Sequence, residues 1–238
     1  MEQLRNLLKT IPEYAMAVDA LRRHENVAIT GIGQINRSHM IAGLYQDSGK
    51  SMVVICQDDM AAKRLQEELK CFTGQLYPIL PSRDLTLYDA AVVSRRWEQK
   101  RLRQLYDLAQ GSTKLQILSW EALSQRTMPK NVLLDAVFTL TVGEEYPIEE
   151  LIRRLTACGY SRCGMVEGPG QFAVRGGIID IFSPAADQPI RAEFFGDELD
   201  TMGYFDPETQ RRTDNIDSVV ILPVGETQPS LHPDGIAG

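Results

Sequence analysis

The stretch SMVVICQDDMAAKRLQEELKCF (51–72) constrains the fold more than any other part of the chain. Its first seven residues are too apolar for a strand with one face in water, and Leu65, Leu69 and Phe72 then repeat at helical spacing. A strand without a solvent face must be covered on both sides, which is the condition of a parallel sheet flanked by helices. Asp58 and Asp59 stand where the helix begins and can cap it. The same alternation recurs on either side. NVAIT (26–30) is predicted to be a short buried strand and RSHMIAGLYQ the helix after it, and QLYPIL and KLQILS read as further strands. RRWEQKRLRQLYDLAQG reads as a helix that buries Leu102, Leu105, Tyr106 and Ala109 and stops at Gly111. Ser119 is placed to cap a short helix, WEALSQR. Residues 1–137 are therefore expected to form an α/β domain.

The pattern changes near residue 138. FTLTVGEEY is extended, and PIEELIRRLTACGY is a short helix with Ile148, Leu151, Ile152 and Leu155 on one face. Pro147 opens that helix, two glutamates occupy its first turn and Gly159 closes it. QFAVRGGIIDIFSP and PIRAEFFGDELDTMGYFD follow, strands joined by glycine and proline turns that imply antiparallel pairing. A small α+β domain is expected over 138–203. DNIDSVVILPVGE, within 204–226, is expected to return as a strand to the first domain, and 227–238 to be a linker or tail.

Composition narrows the function classes. The chain has 238 residues, 43% hydrophobic and 24% charged, and a net charge of -7. An acidic balance argues against broad, sequence-independent nucleic-acid binding, which rests on surplus Lys and Arg. Cys56, Cys71, Cys158 and Cys163 include no C-x-x-C pair, and His24, His39 and His232 lie far from them in sequence. Cys158 and Cys163 alone do not make a zinc site, so no metal is expected and isolated, reduced thiols suit a cytoplasmic setting. No stretch approaches the roughly 20 apolar residues of a membrane span.

Three constellations are candidate sites. GIGQINRS (31–38) sits between a strand and a helix, where α/β proteins hold nucleotide phosphates. Aligned on Gly31, the G-x-x-x-x-G-K-[ST] pattern has Asn36 for its second glycine and Arg37 for its lysine, and only Ser38 agrees. Arginine is bulkier and forked, so Arg37 is no neutral replacement. No ATP and no other cofactor is expected here. SRRWEQKRLRQLY carries Arg95, Arg96, Lys100, Arg101 and Arg103 around Trp97. Read for DNA, the arginines would take phosphates and the tryptophan a base; read plainly, this is a solvated helix face. The third lies in QFAVR and IRAEFFGDE. Strand alternation puts Arg175 opposite Phe172 and Val174, and puts Arg191, Glu193 and Phe195 on one face opposite Ala192 and Phe194. A cation, an anion and an aromatic in series suit a protein interface, although a cross-strand salt bridge over a partly buried core would give the same pattern.

FAVRGGIIDIFSP…PIRAEFFGDELDTMGYFD closely resembles the module shared by the excinuclease component UvrB and the transcription-repair coupling factors (Mfd). The resemblance rests on R-G-x-[IL]-[IL]-D-[IL]-F followed by R-x-[DE]-F-F-x-[DE]-E-[IL], and its layout extends from Gly31 to ILPVGE. Two departures favour the N-terminal part of the coupling factors. The phosphate loop is not intact, and LTLYDAAVVSRRWEQKR runs directly into a helix without the tyrosine-rich hairpin by which UvrB grips damaged DNA. The resemblance implies a degenerate RecA/helicase-like parallel-sheet domain lacking a working phosphate loop, with a small inserted α+β domain. It implies a non-catalytic adaptor that recruits the excinuclease component UvrA through Arg175, Arg191 and Phe195, with Glu193 beside them. It further implies masking of that surface by a C-terminal domain of a longer parent, whose other parts engage RNA polymerase and DNA. The alternative is an ATP-dependent repair enzyme fragment of UvrB or helicase type that binds DNA directly.

Overall fold

The computed structural model describes residues 6–83, 96–184 and 186–226. In chain order the helices are α1 (Pro12–Arg22), α2 (Gln34–Ser48), α3 (Asp59–Thr73), α4 (Arg96–Ala109), α5 (Trp120–Ser124), α6 (Lys130–Ala136) and α7 (Ile148–Ala157). The strands are β1 (Met52–Cys56), β2 (Ile79–Leu80), β3 (Leu115–Ser119), β4 (Phe138–Thr141), β5 (Ser161–Arg162), β6 (Gln171–Arg175), β7 (Ile178–Ile181), β8 (Ile190–Phe195), β9 (Glu198–Phe205), β10 (Arg212–Asn215) and β11 (Ser218–Ile221). The architecture is mixed α/β, with one parallel sheet and two further sheets. The described residues fall into two compact units, one ending at 83 and resuming over 110–125, the other formed by 96–109 and 126–226.

In the first unit β3 lies between β1 and β2, parallel to both, and every residue of β3 is buried. Asp58 caps α3 by accepting from the Ala61 N–H at 2.7 Å, and the helix ends at Gly74 with φ 74°. Its buried Leu69 and Ala62 pack with Ile117, Leu115 and Tyr77, and the half-buried Leu65 and Phe72 join them. Ser119 caps α5, accepting from the Ala122 N–H at 3.1 Å. Two expectations are corrected. NVAIT forms no strand, and Ile29 within it is exposed. A strand exists only through a partner's backbone, and among the described residues this segment has none. β1 has a solvent face after all. Among the described residues it pairs with β3 alone, and its burial alternates so that Val53 and Ile55 stay exposed.

The second unit is built on a six-stranded sheet in the order β10-β9-β8-β7-β6-β5, antiparallel except where β5 meets β6. One sheet face buries Phe172, Ile179, Ile181, Ile190, Ala192 and Met202 against Leu151 and Leu155 of α7, with Ile148 and Ile152 at the margin. The helix expected from PIEELIRRLTACGY thus presents its apolar stripe to this sheet. β4 and β11 pair antiparallel beside the same core, Leu140 opposite Val219. The segment expected to return to the first domain therefore lands on β4. Contacts also divide the chain elsewhere than at residue 138, because Leu102, Leu105 and Tyr106 of α4 pack with Met128, Leu133 and Leu222. β9 runs through to Phe205 and β10 pairs with it, so the sheet continues past residue 203.

A buried ion pair fastens α4 to the end of this unit. Arg101 Nε donates to Glu226 Oε1 at 2.6 Å with both side chains 1% exposed. The Glu226 N–H also donates to Glu98 Oε1 at 3.2 Å. The Tyr160 hydroxyl donates to the Leu222 carbonyl at 2.7 Å, and burial pushes its phenol well above the ordinary value. No helix among the described residues is long and apolar enough to cross a membrane. Removing one member of the ion pair strands the other charge in the interior. Glu226→Leu is expected to lower the unfolding free energy by about 3–5 kcal/mol, and Arg101→Met combined with Glu226→Leu by much less, in urea titrations followed by circular dichroism.

Candidate functional site

The sheet face opposite α7 carries the polar residues. In β7 the alternation that sends Ile179 and Ile181 to the core turns Asp180 the other way, yet Asp180 is only 1% exposed. It is covered by cations. Arg191 stands directly opposite on β8, and its Nε donates to Asp180 Oδ1 at 2.7 Å while Nη2 donates to Oδ2 at 2.9 Å. Arg175, at the end of β6, donates from Nη2 to the same Oδ2. The residue opposite Asp180 on β6 is Ala173, and Arg175 reaches the carboxylate from two residues further along that strand.

Arg191 is held from every side. Its Nη1 donates to the Gln210 carbonyl at 3.3 Å and Nη2 to Gln210 Oε1 at 3.1 Å. The guanidinium carbon lies 4.6 Å from the centre of the Phe205 ring, within cation–π range. The hydrogen bonds to Asp180 hold its basicity above the ordinary value. Phe205 belongs to a small apolar cluster with Val166, Ala173 and Phe182. Gln210 adopts φ 61° in a loop where Asp206 Oδ1 accepts from the Glu208 and Thr209 N–H groups, each at 2.8 Å, which keeps the Asp206 carboxyl below its usual range.

Glu193 sits two residues past Arg191 on the same face and accepts from Arg212 Nη1 at 3.3 Å. Gly203 makes room for that arginine: a Cβ there would lie 2.4 Å from Arg212 Nε. Phe195, at the end of β8, is 83% exposed, and Gly196 turns the chain behind it with φ 66°. The glycines after Arg175 have separate tasks. Gly176 takes φ 59°, while a Cβ on Gly177 would sit 2.8 Å from the Phe194 carbonyl oxygen. That close approach lets the Phe194 N–H donate to the Gly177 carbonyl at 2.7 Å, so the β6–β7 turn abuts the strand that carries Phe195. The four residues singled out from the sequence, Arg175, Arg191, Glu193 and Phe195, thus share one face. Sequence reasoning missed Asp180, Gln210 and Arg212. Asp180 had a signal, because an acid alternating with buried isoleucines needs a cation.

The other two constellations are placed differently. Gly31 has φ 78° and Gly33 is the N-cap of α2, so the helix begins at Gln34. The Asn36 N–H donates to the Gly33 carbonyl at 3.0 Å; Asn36 and Arg37 are exposed and Ser38 is buried. Of the basic run, Arg101 is buried on Glu226, Arg103 Nε donates to Asp107 Oδ1 at 3.2 Å, and Lys100 is exposed. Arg95 and the side chains of Arg96 and Trp97 lie outside the described residues. So do all of LTLYDAAVVS and the expected tail 227–238. All four cysteines are free thiols.

Residues 138–226, from β4 through Glu226, match the family model described as the UvrB interaction domain. Over these residues the chain is similar to that domain. The six-stranded sheet with its polar face lies wholly inside the matched residues. Over most of its length the chain is also similar to transcription-repair-coupling factors. It is 33% identical to that of Myxococcus xanthus over 90% of this chain and 18% of the relative. It is 34% identical to that of Staphylococcus aureus (strain MRSA252) over 82% and 17%, and 32% identical to that of Staphylococcus haemolyticus (strain JCSC1435) over 86% and 18%. The chain thus spans under a fifth of the length of these relatives. The site geometry itself is testable. Gly177→Ala is expected to lower the unfolding free energy of the second unit by about 1–3 kcal/mol, because backbone must move. Gly176→Ala meets no atoms and is expected to cost about 1–2 kcal/mol for its positive φ alone, both read from thermal unfolding.

Proposed function

We propose that this chain is a non-catalytic adaptor module whose UvrB interaction domain docks the excinuclease component UvrA in transcription-coupled nucleotide excision repair. The observation that carries the reading is the polar sheet face, where an 83% exposed phenylalanine shares a side with two arginines paired to a buried carboxylate. Exposed aromatic and arginine side chains on a rigid support are the usual anchors of protein interfaces. The relatives' name ties the reading to transcription and repair. In a longer parent, a C-terminal domain would cover this face until the protein meets a stalled RNA polymerase, and translocation along DNA would belong to parts outside these residues.

The first unit is proposed to be a RecA/helicase-like scaffold that has lost its nucleotide chemistry. A working phosphate loop keeps successive N–H groups free to cradle phosphates. Here the helix starts at Gln34, and the Asn36 N–H is engaged by the Gly33 carbonyl. Ser38, the one matching side chain, is buried. These features support the adaptor over the rival ATP-dependent enzyme. Direct DNA binding through the basic helix is disfavoured by Arg101, whose side chain is buried on Glu226.

Titration calorimetry with purified UvrA tests the reading. Arg175→Ala and Phe195→Ala are each expected to weaken binding by at least about 2 kcal/mol, roughly 30-fold, and Glu193→Ala by less than about 1 kcal/mol because its ion pair is exposed. Unchanged affinity in both of the first two variants would remove the assignment. ATP is expected to show no saturable binding. Micromolar affinity abolished by Ser38→Ala would favour the enzyme.

A further inference from the structure

Resting on the docking role proposed above, we infer that Asp180 is the positioning residue of this face. It divides the two arginines into one that supports and one that touches the partner. The geometry of the two cations is unequal. Arg191 is 17% exposed and makes four hydrogen bonds within the chain, two to Asp180 and two to Gln210, with its guanidinium carbon over the Phe205 ring. A guanidinium has five N–H groups, so one remains for any partner. Arg175 is 45% exposed and joins the carboxylate through Nη2.

Asp180 needs an account of its own. A carboxylate at 1% exposure is costly unless paired, and the strand's fold requires only that its other face be apolar. Nothing in the packing of Ile179 and Ile181 against α7 calls for an acid at 180. What the acid achieves is alignment. Bidentate pairing fixes Arg191 flat on the sheet, and the shared Oδ2 then draws Arg175 into one direction across Ala173. A long surface arginine otherwise surrenders rotamer freedom when it binds, so holding it beforehand raises affinity without a new contact. One carboxylate against two guanidiniums leaves a net positive charge at the surface. The partner group that meets Arg175 is accordingly a carboxylate, placed next to an apolar pocket that receives Phe195.

Calorimetric binding of the whole chain to purified UvrA, run as a double-mutant cycle, tests the assignment. Asp180→Asn preserves shape and is expected to lower affinity about tenfold in the otherwise unchanged chain. In the Arg175→Ala background it is expected to change affinity by less than twofold, since the residue being aligned is gone. Equal losses in both backgrounds, or no loss in either, overturn the inference. Should Asp180→Asn fail to fold, Arg191→Lys keeps a cation on Asp180 while giving up the two-point grip. A loss of about threefold that vanishes in the Arg175→Ala background supports the assignment. Equal losses there mean that Arg191 itself touches the partner, and overturn it. Failure of the unaltered chain to bind UvrA removes the docking reading and this inference together, whereas binding indifferent to Asp180 removes the inference alone.

Discussion

A carboxylate withdrawn from water must meet cations, and Asp180 meets two. That requirement organises the six-stranded sheet. The strand that presents the acid must keep its register, because a slip of one residue would drive Asp180 into the isoleucine core and bring Ile179 or Ile181 to the polar side. Arg191 opposite and Arg175 diagonal to it depend on the same register. Around this centre the remaining features are supports. Gly177 lets the β6–β7 turn abut β8, Gly203 clears the path of Arg212, and the Asp206 turn delivers Gln210 to Arg191.

Rigidity of the polar face comes from what lies behind it. The apolar side of the six-stranded sheet is locked by Leu151 and Leu155 of α7, and Tyr160 and Glu226 tie the closing segment into the same unit. The basic helix α4 therefore serves a different purpose from the one its arginine count suggests. Arg101 has become an interior residue and Leu102 a core residue, so the helix face that reads as cationic in sequence is partly structural. In a chain with a net charge of -7, the two arginines on Asp180 leave one positive charge in excess of that carboxylate.

Much of this arrangement was legible in the sequence, and the reasons for success and failure are physical. Strand alternation in QFAVR and IRAEFF fixed which side chains share a face, because period-two geometry leaves one choice once the core side is known. Caps at Asp58 and Ser119 were legible because they are local. NVAIT and the outer face of β1 were misread because apolar composition reports the need for burial and not whether a neighbour supplies it. The landing of β11 on β4 and the grouping of α4 with the second unit arise from long-range packing of Leu102, Leu133 and Leu222, which no local pattern encodes. Asp180 was missed although it stands as an acid among isoleucines, because its two partners are set by cross-strand register.

In the proposed docking, a protein partner lands on the outward face of the β6–β9 sheet. Hydrogen–deuterium exchange of the chain, free and saturated with purified UvrA, tests it most directly. Protection on binding is expected to concentrate at the ends of β6 and β8, at the β6–β7 turn and around Phe195 and Gly196, with residues 31–38 and α4 unchanged. Protection confined to the 31–38 loop or to α4, with the sheet face exchanging as in the free chain, would contradict it.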